Sequence, residues 1–346
     1  MAAHNQIKRL GALLLGLAWA GAAQAQLFPN LGGTRVGISA LTFLKNDLSP
    51  RSTGMGGANA TLSGDAYAAT LNPALAAEVK SLTVGVSNMY FADGINHSLV
   101  SVLVPNKERG TFYGQVHMLN MGAEKVRTEF FPQGTGQYFT TYSLSAEAGY
   151  SRDLSERFSF GLGFKFLREQ LAEYAANGLG ADVGFLYRTD WRNLRFGATL
   201  QHFGTNATLR GNQVPDLLQR GQGVNVEGYP APTHFKMGAS MDALRRDEHL
   251  ITVHLQLNHP NDNAENIRAG AEYIWANTLA LRAGLKLGVD NERAPSAGIG
   301  YRQPIGGHML QIDYGVNPTR FLGLIHSVGI SYALARPAKT TSPSQP

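Results

Sequence analysis

The chain has 346 residues, with 30 Lys and Arg against 25 Asp and Glu, a formal net charge of +5, 40 glycines and no cysteine. Absence of cysteine removes disulfides, thiolate metal sites and thiol nucleophiles together. The small basic excess is spread out, with no Lys/Arg cluster interleaved with aromatics, so a nucleic-acid surface has no support.

The chain opens on a basic pair, Lys8 and Arg9, then an apolar run from Leu10 to Ala22, then Ala23-Gln24-Ala25. This order reads as a secretory signal peptide over 1–25, with the mature chain starting at Gln26. The run falls short of the roughly 20 residues that a spanning helix needs. No later stretch is apolar enough for such a helix, so export points to the periplasm or an outer membrane.

Residues 26–80 form a second region, rich in Gly and small residues and lacking a long period-two pattern. Arg51-Ser52-Thr53-Gly54-Met55-Gly56-Gly57-Ala58 and Leu71-Asn72-Pro73-Ala74 read as short helices and tight turns, with Pro73 near a helix start. A compact segment of this size, without strands, would fit inside a barrel as a plug or hatch.

From Ser81 to Leu334 a two-residue rhythm dominates. Phe158, Phe160, Leu162, Phe164 and Phe166 alternate with Ser159, Gly161, Gly163 and Lys165. Leu279, Leu281, Ala283, Leu285, Leu287 and Val289 alternate with Arg282, Gly284, Lys286 and Gly288. Successive strand side chains point to opposite faces, so each segment has an apolar face and a polar or tiny one. Charges kept to the minor face over some ten residues predict a transmembrane β-barrel with lipid outside and a polar lumen.

Fourteen strands are expected, near 81–90, 96–104, 110–121, 138–150, 157–169, 175–188, 194–203, 233–242, 249–258, 266–275, 278–289, 295–302, 308–316 and 324–335. Every second connection is short, whereas the alternate set holds the long ones, 122–137, 204–232, 258–265 and 317–323. Short periplasmic turns alternating with longer external loops is the barrel pattern. The last strand carries Gly329, Tyr332 and Leu334, similar to the terminal signal of outer-membrane barrels, and a polar tail follows over 336–346, read as disordered. The expected class is therefore all-β: a fourteen-stranded antiparallel transmembrane barrel over 81–335 with an N-terminal hatch over 26–80, in the outer membrane of a Gram-negative bacterium.

Several blocks resemble the PorV/PorQ family, a branch of the FadL-like superfamily of fourteen-stranded barrels with an N-terminal hatch. They are Ala40-Leu41-Thr42-Phe43-Leu44, the Arg51 to Ala58 run, Asp65, Asn72-Pro73-Ala74, Lys125 to Thr128, Gly134-Thr135-Gly136, Asp182 to Thr189, Phe203-Gly204-Thr205 and His259 to Glu265. The resemblance implies a non-enzymatic component or substrate-shuttling module of the type IX secretion system. Its implied partners are translocon or attachment-complex subunits and secreted proteins, met through external loops, together with outer-membrane lipid. The alternative within the superfamily is a transporter of small hydrophobic compounds, which calls for an apolar tunnel leading toward Asn72. A soluble periplasmic β protein is a third reading.

The candidate hatch residues are Arg51, Met55, Gly56, Gly57, Asn72 and Pro73. An inward Arg51 needs a carboxylate, and Glu147, Asp182, Asp242, Glu272 and Asp313 sit on polar faces. Lys165, Arg195, Lys236, Arg268, Arg282, Lys286 and Arg302 share those faces, so a charged lumen is expected. Apolar residues on the long loops, Phe130, Phe131, Leu209, Leu217, Leu218 and Tyr229, are candidates for partner binding or for a lid over the mouth. No catalytic residue, cofactor or metal site is expected. Asn261-Asp262-Asn263 with Glu265 has Ca²⁺-type oxygens but lacks the EF-hand spacing. His254, His259, His308 and His326 are scattered. Asn96-His97-Ser98 lacks the G-x-S-x-G context of a serine hydrolase.

Overall fold

A computed structural model describes residues 37–91, 94–210, 227–289, 291–292 and 294–334. The signal-peptide reading over 1–25, the first residues of the expected hatch, Leu217, Leu218 and the tail over 336–346 lie outside the described residues.

Fourteen strands make up most of the described residues: β1 Thr83–Tyr90, β2 Asn96–Asn106, β3 Gly110–Lys125, β4 Tyr138–Asp153, β5 Phe158–Leu171, β6 Tyr174–Arg188, β7 Arg195–Gly204, β8 His234–Arg246, β9 His249–Pro260, β10 Asn266–Trp275, β11 Leu279–Leu287, β12 Ser296–Ile305, β13 His308–Thr319 and β14 Gly323–Ala333. Each pairs with its sequence neighbour, and β1 pairs antiparallel with β14, closing the barrel. Closure leaves no unpaired strand edge.

The two-residue rhythm sorts side chains as the sequence implies. On β5, Phe164 and Phe166 are exposed on the outer face, while Ser159 and Lys165 are buried on the inner one. Register carries this sorting across the sheet: Lys165 pairs with Glu147, and Glu147 with Gln115, so all three share the inner face. The outer face stays apolar around the barrel, with Val86, Val116, Leu255, Leu281 and Ile330 all exposed.

One rim has only short turns, at 107–109, 154–157, 189–194, 247–248, 276–278 and 306–307. The opposite rim holds the two longest connections, 126–137 and 205–233. It also holds a tight hairpin at 172–173, so the segregation of loop lengths is not strict. Several strands outrun their expected ends, β3 and β8 by the most, four residues each. β3 continues to Lys125 through an irregularity between Asn120 and Ala123, where Gly122 takes a positive φ of 78°. β8 continues to Arg246 past a second irregularity between Asp242 and Leu244. Hydrophobic alternation breaks at such irregularities because the extra residue changes which face the side chains meet.

Residues 41–79 contribute no strand. They form a 3₁₀ turn at Thr42–Lys45, a helical turn at Pro50–Gly54, another at Ala68–Leu71 and a 3₁₀ helix at Pro73–Glu78. Local chemistry explains these pieces. The Ser49 side chain accepts the Ser52 N–H, and Pro50 takes the first helical position, where its missing donor costs nothing. Asn72 caps the Ala74 N–H in the same way, with Pro73 next. The segment is too short in each piece to be stable alone. It hydrogen-bonds to strands on opposite sides of the closed sheet and therefore lies within it: Tyr67 Oη to Val86 and Ile330 carbonyls, Asn72 Nδ2 to the Phe185 carbonyl, and Asn59 N to Gln256 Oε1. Its apolar residues, among them Leu48, Met55, Leu62, Tyr67 and Leu75, are almost fully buried.

Candidate functional site

The interior segment meets the wall at glycines. Met55 and Gly56 pack on Gly270 of β10 and Gly284 of β11, and a Cβ at Gly270 would stand 2.7 Å from the Met55 carbonyl oxygen. Gly54 meets Gly298 of β12 backbone to backbone. Pro73 and Ala74 fill the space above Gly161 of β5, and the Asn72 amide oxygen occupies the place a side chain would take at Gly184 of β6. Ala60 rests on Gly197 and Gly238 of β7 and β8, and Tyr67 on Gly85 and Gly329 of β1 and β14. Gly56 and Gly57 adopt φ of 66° and 75°, a left-handed turn that needs glycine. Gly57 also clears room for the Arg268 guanidinium. The minor-face glycines of the strands are thus docking places for the segment's backbone.

Arg51 is bound on both sides of its guanidinium to Glu272 of β10, Nε to Oε1 at 2.8 Å and Nη2 to Oε2 at 2.6 Å, and Nη1 donates to the Ser63 carbonyl. Glu272 Oε1 also accepts from Arg282 Nε at 2.7 Å, and Arg282 Nη1 donates to Asp313 Oδ1 at 2.7 Å. Asp65 of the segment stands 3.6 Å from Arg51 Nη1. Burial pushes the Asp65 carboxyl up from its ordinary value, and Arg51 opposes that rise. Five buried charges thus form one chain joining the segment to β10, β11 and β13. Paired and hydrogen-bonded in this way, they avoid most of the penalty of buried charge.

A second network lies on β3–β7. Lys165 Nζ pairs with Asp182 at 2.8 Å and Glu147 at 3.3 Å and reaches His202 Nδ1 at 3.0 Å, while Gln115 and Tyr113 donate to Glu147. Near the short-turn rim, Glu78 holds Arg188 at 3.1 Å and Arg195 at 2.8 Å, tying down the end of the segment.

Toward the long-loop rim the segment presents apolar residues. Leu41, Phe43 and Leu44 are buried with Leu119, Leu167, Ala176 and Ala207, and Phe91, Ile95, Met121 and Leu209 pack on them. Two inward cations on this side, Lys236 and Arg268, have no ion pair with a described carboxylate; Arg268 Nε donates to Asn266. Asp47 is the acid that acts on both, and it is itself engaged by Ser52 and Asn59.

The hatch candidates come together: Arg51, Met55, Gly56, Gly57, Asn72 and Pro73 all line contacts between segment and wall. Asn72 makes three bonds, to the Ala60 and Phe185 carbonyls and from the Ala74 N–H, which is a structural brace. The loop candidates separate. Phe130 and Phe131 are 88% and 60% exposed at a tip closed by a Thr128–Phe131 bridge. Leu209 instead packs on the apolar cluster, and Tyr229, itself exposed, pairs its backbone with Ala207. Leu217 and Leu218 lie outside the described residues. His97 and Ser98 fall on opposite faces of β2: His97 is buried against Asn46, while Ser98 donates to Asn88, so they form no hydrolytic pair. Asp262 is engaged by Lys45 and Ser39, which spends the carboxylate that a Ca²⁺ ion would need. What sequence reasoning missed was the role of the glycines; their fixed place on the inward phase of strand after strand was the available signal.

No protein-family model and no curated protein sequence matches the chain. Solved structures do match its fold. The toluene transporter TodX of Pseudomonas putida superposes with a TM-score of 0.56 at 13% identity, covering 86% of this chain and 99% of that one. The monoaromatic hydrocarbon channel CymD gives 0.53 at 12% identity, over 84% and 98%. A TodX variant, the deltaS2 mutant, gives 0.50 at 14% identity, over 84% and 100%. These are fourteen-strand barrels of the FadL type, and the likeness establishes the fold.

Proposed function

We propose that the chain is an outer-membrane barrel that passes small hydrophobic compounds, with the interior segment as its hatch. The membrane location is supported by the continuous apolar outer face and by aromatic residues gathered near both strand ends. Phe112, Tyr187, Phe196, Trp275 and Tyr301 lie toward the short-turn rim; Tyr90, Tyr138, Phe203 and Phe235 lie toward the other. Such girdles mark the two interfaces of a membrane barrel.

The observation that carries the transport reading is the apolar cluster of Leu41, Phe43, Leu44, Leu119 and Leu167, set on the segment where it faces the long loops. A hydrophobic solute that entered from that rim would reach this buried apolar layer before the charged networks below. Folds of the same kind serve as a toluene transporter and a monoaromatic hydrocarbon channel, which makes aromatic hydrocarbons the first solutes to try. The test is uptake of labelled toluene by cells producing the chain, against cells producing a Phe43→Asp variant of equal abundance. Uptake above background that falls with the variant supports the reading. Uptake equal to that of cells lacking the barrel would end it.

A second reading, the PorV/PorQ-type role in type IX secretion, is favoured by one feature. Phe130 and Phe131 stand exposed at the end of a hairpin formed by β3 and β4. Exposed aromatics on a projecting loop suit a protein partner. Affinity capture from gently solubilised outer membranes tests it: a translocon barrel or secreted proteins should accompany the wild-type chain and be lost from Phe130→Ser/Phe131→Ser.

A further inference from the structure

The short-turn rim holds a polar cleft of about 360 Å³ between the end of the interior segment and strands β2, β3 and β4. Ala77, Val79 and Lys80 form one side, and Lys107, Glu108 and Arg152 contribute the charge of the other. The Lys107 and Arg152 side chains make no hydrogen bond or ion pair within the described residues, and the Lys80 side chain makes only a long contact of 3.5 Å to the Ala77 carbonyl. Asp153 also lines the cleft, but Ser159 at 2.6 Å and Arg188 at 2.9 Å already occupy the carboxylate. Glu108 is the one lining carboxylate without a cationic partner. Three unpaired cations against one free acid leave an excess of about two positive charges, the charge a phosphate monoester carries at neutral pH.

We infer that this cleft binds a phosphate group. The volume lies at the lower end of the range for small-molecule sites. Arg152 can present its planar fork to two oxygens while the lysines act as point charges. A metal cation would be repelled by the same three groups. The chemistry is shared by a soluble phosphate compound and by a phospholipid headgroup at the rim, and both would sit in the same place. Binding there would bear on the hatch. Val79 and Lys80 directly follow the Pro73–Glu78 helix, whose last residue, Glu78, is clamped by Arg188 and Arg195. An anion on Lys80 would thus brace the end of the segment. The inference is independent of whether small hydrophobic compounds pass the barrel.

The test uses the full chain in non-ionic detergent and in nanodiscs. Inorganic phosphate is titrated by calorimetry into detergent-solubilised protein, and phosphatidylglycerol retained from nanodiscs is counted by native mass spectrometry. The cleft variant is Lys80→Gln/Arg152→Gln. The control is Arg192→Gln/Arg246→Gln, which removes two cations from the same rim outside the cleft. Heat-modifiable migration certifies that each barrel is folded, and single substitutions replace a double variant that fails this check. Saturable phosphate binding weakened about tenfold or more by the cleft variant alone supports a soluble ligand. Phosphatidylglycerol retained by the wild type and lost from the cleft variant alone supports a headgroup. Absence of saturable binding for both probes, or equal losses in cleft and control variants, overturns the inference.

Discussion

Arg51 and Glu272, 221 residues apart in sequence, meet through two hydrogen bonds of 2.8 and 2.6 Å with both side chains buried. One residue belongs to the interior segment and the other to the middle of β10. Glu272 also accepts from Arg282, so a single carboxylate is shared between one cation from the segment and one from the wall. Removing one partner of a buried pair costs about 3–5 kcal/mol, because the other charge stays buried and uncompensated.

This sharing sets an order of damage. Glu272→Gln takes the shared carboxylate from both arginines and leaves Arg51 only Asp65 at 3.6 Å, although Arg282 keeps Asp313, whereas Arg51→Met leaves Glu272 still paired with Arg282. The temperature at which the folded band converts to the unfolded one on a gel should fall further for Glu272→Gln than for Arg51→Met. The reverse order would mean that the network does not carry the segment's attachment.

Inward and outward glycines should differ sharply. Gly161→Val and Gly284→Val place a side chain where Pro73 and Met55 now sit. Gly114→Val points outward, where a Cβ meets only the Glu147 carbonyl at 3.9 Å. Trypsin should cut after Arg51 in the two inward variants while the barrel stays heat-modifiable, and should leave that bond uncut in Gly114→Val and the wild type. Equal protection in all four proteins would show that the glycine contacts do not hold the segment.

The outer wall offers a check on the membrane reading. Leu255 lies midway along β9 and is 58% exposed. Leu255→Arg should cost about 2–4 kcal/mol in lipid, the range for a charge at the midplane of a membrane barrel. Urea titration in lipid vesicles measures it. A loss within a few tenths of a kcal/mol, usual for a water-exposed position, would contradict a lipid-facing wall.

The hairpin tip separates the two functional readings. Phe130→Ser/Phe131→Ser should leave hydrocarbon uptake unchanged, because both rings stand clear of the apolar cluster. Loss of uptake in this variant would move the entry site from the mouth to the hairpin.

Much of the fold could be read directly from the chain, because alternation is a local signal. Phe164 and Lys165 had to face opposite ways, and the strand pairing repeats that choice from neighbour to neighbour. Arg51 needed an inward carboxylate, and the five acids proposed from strand phase included Glu272. Choosing among them was beyond sequence, since the answer depends on which strand the segment passes at that height. The glycines were visible but mute. Gly161 and Gly284 carry no chemistry of their own, and their meaning appears only when Pro73 and Met55 are found against them. Leu209 shows the same limit: an apolar loop residue can face a partner or cover a cluster, and the pattern of one loop cannot tell which.

The proposed transport reading, with the interior segment as a hatch that moves, can be tested in one protein. The Ala60 Cβ and a Cβ built at Gly238 stand 3.2 Å apart, close to disulfide spacing, and the chain has no other cysteine. In Ala60→Cys/Gly238→Cys the oxidised bond would tether the segment to β8. Toluene uptake should drop to background in the oxidised protein and return on reduction. Equal uptake in the oxidised and reduced forms would contradict a moving hatch at this part of the segment.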